Sequence, residues 1–243
     1  MNPLSIRDKQ DEAPYRQLVE EHGSPLLVLD CAVLRERYRA LKKALPGVEL
    51  FYAIKSLPAI PVLQTLQAEG ASFDIATTGE IRLMKSVEAD AKKTIHTHPI
   101  KRDQDIRDAL EFGCTTFVID NLDELYKFRD YAGQARLLLR VSFRAKQVNS
   151  DLSRKFGCAP RNIPTMLAEA HKLGVEIVGL SFHVGSQAMD SDAHVNAIRE
   201  CQIYFESTEL AGAESLRILD IGGGFPADYS AHSSGKVIDL AEY

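Results

Sequence analysis

Seven short runs rich in β-branched residues or leucine alternate with longer stretches whose apolar residues recur at helical spacing, and this alternation limits the fold more than any other feature. The strand-like runs are residues 50–54, 72–75, 94–97, 116–119, 136–141, 176–182 and 216–221. The helix-like stretches are 60–68, 79–86, 103–112, 123–131, 163–172 and 193–208, preceded by a leading strand at 26–29 and a helix at 32–44. Such alternation predicts an α/β fold on a parallel sheet, either open and doubly wound or closed into a barrel. Polar residues decide between the two. Lys55, Asp74, His98, Asp120, Arg140 and His183 stand at or near the ends of successive runs, and Gly222-Gly223-Gly224 follows the seventh. Chemistry at the C-terminal end of nearly every strand is what a TIM-type (β/α)8 barrel requires, whereas an open sheet gathers it at one switch point. No Gly-x-Gly-x-x-Gly follows the first strand, which weakens a dinucleotide-binding reading.

A chain of 243 residues with 45% hydrophobic content can bury a sizeable core. Residues 1–25 read as a polar N-terminal extension and 26–243 as one barrel domain, incomplete at its C-terminal end after about seven units. A net charge of -5 with no lysine/arginine-rich block argues against nucleic-acid or anionic-membrane partners. The first residues are polar and charged, and no apolar run approaches the roughly 20 residues that span a bilayer, so a cytoplasmic location is expected. Cys31, Cys114, Cys158 and Cys201 are scattered, without a Cys-x-x-Cys or a histidine cluster, which points to free thiols and to no metal site.

Three places carry chemistry. Lys55 follows the apolar run Phe51-Tyr52-Ala53-Ile54, where desolvation would lower its pKa and free an amine for Schiff-base formation; the plainer reading is a solvated strand-end lysine. Gly222-Gly223-Gly224 lets backbone N–H groups close on an anion as a phosphate nest, or is a flexible turn. His183 ends an apolar run and precedes Gly185, Ser186 and Gln187, so it is a structural histidine or part of an anion or cofactor contact. Thr77 and Glu80 have the spacing of a capping box at a helix start.

Together these residues resemble the N-terminal barrel region of the fold-type III pyridoxal-phosphate-dependent decarboxylases of ornithine, lysine, arginine and diaminopimelate. The likeness runs from about Leu26 to Pro226. It rests on Tyr52-Ala53-Ile54-Lys55, Phe73-Asp74-Ile75-Ala76 with Glu80, His98-Pro99-Ile100-Lys101, Arg140-Val141, Arg154-Lys155-Phe156-Gly157, Phe182 to Gln187 and Asp220 to Pro226. The Phe225-Pro226 ending is closer to the ornithine-decarboxylase branch. The resemblance implies pyridoxal 5'-phosphate as cofactor, held through a Schiff base on Lys55. It further implies His183 against the ring, Ser186 and Gly222, Gly223 and Gly224 at the phosphate, and Asp74, Glu80 and Arg140 around the ring and Schiff base. A small-molecule amino-acid substrate and a homodimer are implied as well. Residues 144–160 are expected to form a loop over the site. The family's eighth strand with Glu-Pro-Gly-Arg and its C-terminal β domain do not occur in this sequence, and Val237 to Tyr243 break off mid-pattern. The expectation is therefore one segment of a larger decarboxylase, inactive alone. The alternative is a non-catalytic pyridoxal-phosphate-binding or regulatory barrel protein.

Overall fold

The computed structural model describes residues 12–143, 155–207, 210, 212, 214 and 216–227. Helices α1 (Glu12–His22) and α2 (Cys31–Ala44) lead into the alternating part. It runs β1 (Phe51–Ala53), α3 (Ile60–Ala68), β2 (Ser72–Ile75), α4 (Thr78–Ser86), β3 (Thr94–His96), α5 (Asp103–Phe112), β4 (Thr116–Ile119) and α6 (Leu122–Lys127). It continues with β5 (Arg136–Val141), α7 (Ile163–Leu173), β6 (Glu176–Phe182), α8 (Asp192–Phe205) and β7 (Ile218–Asp220). Side chains set the helix starts: the Asp30 carboxylate accepts from the N–H groups of Ala32 and Val33, the Thr77 hydroxyl from that of Glu80, and the Asn121 amide oxygen from that of Glu124.

The seven strands of the described residues are parallel and lie in sequence order, each paired with its successor, as in a (β/α) barrel. Alternation along the strands separates two packings. Phe73, Ile75, Phe117, Ile119, Leu137, Leu139 and Val141 join Leu63, Leu66, Met84, Ile106, Leu125 and Leu167 of the helices in one large core. On the opposite face Ile95, Val118, Leu138 and Val178 form a separate cluster, a dry floor under the C-terminal strand ends.

The strand β6 register slips between Leu137 and Leu138, so that Val178 is the extra residue of a bulge. Beside it a Cβ on Gly179 would stand 2.0 Å from the Ile218 carbonyl oxygen, backbone that cannot rotate away. Gly179→Ala is thus expected to part β6 from β7 and lower stability by about 2–3 kcal/mol. An unchanged midpoint in denaturant-induced unfolding would show that the contact does not matter.

Several expectations need correction. Residues 26–29 join no ladder, and Leu27 is 86% exposed. Part of the presumed polar extension is helix α1. The first strand ends at Ala53, and Ile54–Ser56 form one 3-10 turn, closed when the Ser56 hydroxyl donates to the Ala53 carbonyl and the Leu57 N–H to that of Ile54. The stretch 123–131 divides into α6 and a 3-10 turn, Phe128–Tyr131. Residues 144–154 of the expected loop, and the terminal 237–243, lie outside the described residues. Cys114, Cys158 and Cys201 are buried free thiols and Cys31 is half-buried. Among the described residues no helix is long and apolar enough to cross a membrane.

Candidate active site

The face that carries the apolar floor turns polar two residues further along each strand. Register pairs Ala53 with Asp74 and Asp74 with Ile95; it pairs Arg140 with Ser181 and Ser181 with Asp220. Thr97 follows Ile95, Asp120 follows Val118 and Arg140 follows Leu138 by the same step of two. Asp74, Thr97, Asp120, Arg140, Ser181 and Asp220 therefore crown one rim. Electrostatics ties Lys55 and His183 to it: both the Asp74 carboxyl and the His183 ring feel the Lys55 cation, and Arg140 feels Asp120, Asp220 and Asp74.

On the β2–β3 side, the Thr97 hydroxyl donates to Asp74 Oδ1 at 2.5 Å. Burial pushes the Asp74 carboxyl up to about 7, against the opposing pull of Thr97 and Lys55. Lys55 sits in the 3-10 turn after β1 and is exposed, so the apolar enclosure expected from its flanking residues is not what surrounds it. Glu80 is buried, and its carboxylate accepts from the Ala76 N–H at 2.5 Å while its own N–H caps onto Thr77. That is the capping arrangement expected at this helix start, with the carboxylate reaching one residue further back.

Near β4 and β5, Phe156 stacks over the Arg140 guanidinium at 5.3 Å and meets the His98 ring edge-on at 5.9 Å. Asp120 accepts from the Gly157 N–H at 2.9 Å, and the Cys158 N–H donates to the Arg140 carbonyl, which seats the Phe156 segment on the rim. Burial lowers the Arg140 pKa while the three aspartates hold it up.

The β6 and β7 loops close as a unit. The Ala188 N–H donates to the Gly224 carbonyl at 2.9 Å, and Gln187 exchanges two hydrogen bonds with the Ala227 backbone, each 2.7 Å. Added Cβ atoms would stand 2.3 Å from the Phe182 oxygen at Gly222 and 1.8 Å from the Gly185 oxygen at Gly224, both at positive φ. Asp220 accepts from Ser181 at 2.7 Å and from the Gly222 N–H at 2.8 Å. The Gly223 N–H donates to His183 Nδ1 at 3.3 Å. Because a backbone N–H can only donate, His183 Nδ1 carries no proton; burial, Arg140 and Lys55 push the His183 pKa down, which keeps the ring neutral. A nest with three free donors is not what this turn offers, since Asp220 and His183 occupy two of them. The Gly224 N–H and the exposed Ser186 hydroxyl have no protein partner among the described residues. Behind the turn His194 stacks on Phe225 with centroids 4.9 Å apart.

The sequence reading singled out Lys55, Asp74, Arg140, His183 and the glycines, and the structure brings Thr97 and Ser181 to the same rim. The step of two from Ile95 was the available signal for Thr97.

Residues 31–243 match the family described as "Pyridoxal-dependent decarboxylase, pyridoxal binding domain". The chain belongs to this pyridoxal-dependent decarboxylase family. It is 30% identical over 230 residues to the lysine/ornithine decarboxylase of Selenomonas ruminantium, covering 95% of this chain and 58% of that protein. It is 33% identical over 220 residues to antizyme inhibitor 2 of Xenopus laevis, covering 90% of this chain and 48% of that protein. The crystal structure of a Vibrio vulnificus lysine/ornithine decarboxylase complexed with putrescine superposes with a TM-score of 0.87 at 47% identity, over 97% of this chain and 61% of that one. The chain thus spans about half to three fifths of the length of these relatives. The cofactor of this pyridoxal-dependent decarboxylase barrel is pyridoxal 5'-phosphate. The rim fits it: an exposed amine at Lys55, a neutral imidazole at His183, and a turn whose backbone has no room for side chains at 222 and 224 beside the unpartnered Ser186 hydroxyl.

Proposed function

We propose that this chain is the cofactor-binding part of an ornithine- or lysine-type decarboxylase, with residues 26–243 as its barrel domain. The observation that carries the reading is the shared electrostatic cluster of Lys55, Asp74, Arg140 and His183 at the strand ends. In it the Lys55 amine would hold the cofactor. When bound, the cofactor's pyridine ring supplies the electron sink for loss of carbon dioxide from an amino acid. The neutral His183 ring, oriented by the Gly223 N–H, would help to hold the cofactor. Ser186 Oγ and the Gly224 N–H hold the phosphate, within a turn shaped by Gly222 and Gly223. Asp74 is the acidic group facing Lys55, and Arg140 with Phe156 closes one wall against water. Glu80 acts by fixing the Ala76 backbone beside Asp74. The Vibrio vulnificus enzyme was solved with putrescine and with cadaverine, the diamines left when ornithine and lysine lose carbon dioxide, which supports a basic amino acid as substrate. A cytoplasmic homodimer of the complete protein accords with the family resemblance.

Likeness to antizyme inhibitor 2 keeps a second reading, a regulatory barrel without turnover. Both are tested by loading the protein with pyridoxal phosphate, reducing with borohydride and mapping the modified peptide. A phosphopyridoxyl group on Lys55, lost in Lys55→Ala, is expected, together with carbon dioxide release from ornithine or lysine by the full-length protein. Attachment elsewhere overturns the assignment of Lys55, and attachment at Lys55 without turnover in the full-length protein supports the regulatory reading.

A further inference from the structure

We infer that Thr97 is a positioning residue that holds the Asp74 carboxyl in place and in its charged form, as a counter-ion to Lys55. The inference rests on the reading of Lys55 given above and adds a residue outside the motifs that carried it. Thr97 is fixed on both sides. Its N–H donates to the Ile75 carbonyl at 3.1 Å, which locks its backbone to β2, and its β-branched side chain has few rotamers. Its hydroxyl then meets Asp74 Oδ1 at 2.5 Å. A hydroxyl bonds an ionised carboxylate more strongly than a neutral acid, so this contact favours the charged Asp74.

The charged groups around Asp74 are closely balanced. Burial, Asp220 and Glu80 disfavour its charge, while Thr97, Lys55 and Arg140 favour it, and the result is a carboxyl poised at about 7. The Cys114 thiol also senses Asp74, and its own pKa is raised mainly by burial. Near that balance the Thr97 hydroxyl tilts Asp74 toward its charged form. An ionised Asp74 offers a counter-charge to a cation at the Lys55 nitrogen; a protonated Asp74 does not.

The test is a pH titration of Asp74 by carbon-13 NMR in cofactor-free protein labelled at the aspartate carboxyl carbons, with Asp74→Asn assigning the signal. The wild type is expected to titrate near neutrality. Thr97→Val is expected to raise the proton affinity of Asp74 about tenfold, one pKa unit, and Thr97→Ser to restore it. In the loaded protein the absorbance titration of the nitrogen at Lys55 is expected to move to lower pH in Thr97→Val and to return in Thr97→Ser. An Asp74 midpoint in the ordinary carboxylate range in the wild type, or one unmoved by Thr97→Val, overturns the inference. Where the valine variant does not fold, Thr97→Ala removes the same hydroxyl, and an Asp74 midpoint unmoved in it overturns the inference. The cofactor-free titration is independent of attachment at Lys55, so failure of the proposed function and failure of this pairing give different results.

Discussion

Gly224→Ala is expected to weaken pyridoxal phosphate binding about a hundredfold, equivalent to about 2.7 kcal/mol. Gly224 lies at φ +91°, where an L side chain is strained, and its Cβ would stand 1.8 Å from the Gly185 carbonyl oxygen. Neither obstacle relaxes locally, because the opposing atom is backbone and the two loops are joined by the Ala188–Gly224 bond and the Gln187–Ala227 pair. The loops must separate, which carries the Gly224 N–H away from Ser186 and frees the Gly223 N–H from His183. Gly223 provides the contrast, since a Cβ there meets only the His183 ring, at 4.0 Å. Gly223→Ala is therefore expected to leave the turn intact, while the bulkier Gly223→Val weakens binding by crowding the phosphate. Fluorescence titration with pyridoxal phosphate measures all three. Equal affinity of Gly224→Ala and wild type would mean that the turn does not form the phosphate site.

Where this site lies was readable because one physical pattern, alternation, reports on both fold and chemistry. The apolar runs place each of the seven strands to within two residues of its ends, and the step of two along a strand carries Ile95 to Thr97, Val118 to Asp120 and Leu138 to Arg140 on one face. What the pattern does not encode is contact between elements. Residues 54–56 form a 3-10 turn because the Ser56 hydroxyl finds the Ala53 carbonyl, a local bond that apolar periodicity cannot register. The bulge at Val178 is set by the neighbouring strand, and Gly179 reads as an ordinary glycine until Ile218 lies against it. Likewise three consecutive glycines suggest three free donors, whereas Asp220 and His183, brought up by β7 and β6, take two of them. Lys55 follows an apolar run, yet its own side chain is exposed, as the plainer reading of a solvated strand-end lysine has it.

The largest loss of stability is expected from a residue remote from cofactor chemistry. Lys101 has a side chain with no exposure; its ammonium donates to the carbonyls of His98 at 2.9 Å, Pro99 at 3.2 Å and Val118 at 2.6 Å. Glu124 is 3.6 Å away and the Phe128 ring lies 5.5 Å below. Burial pushes the ammonium down to about 8, which still leaves it charged at pH 7. The pin joins the loop after β3, which carries His98 next to Thr97, to the end of β4. Lys101→Met fills much of the same volume but strands three carbonyls and leaves the buried Glu124 carboxylate with Lys127 alone among its cations. Breaking a buried pair from one side costs about 3–5 kcal/mol, a large share of the 5–15 kcal/mol that holds a domain folded. Lys127→Met is the comparison, because Lys127 is 36% exposed and bonds the same Glu124 from the rim. That variant should lose only about 1 kcal/mol, as a half-exposed pair does. Urea unfolding of both variants separates the cases. Equal losses would show that Lys101 contributes no more than a surface ion pair and that the loop bearing His98 and Thr97 is held by other contacts.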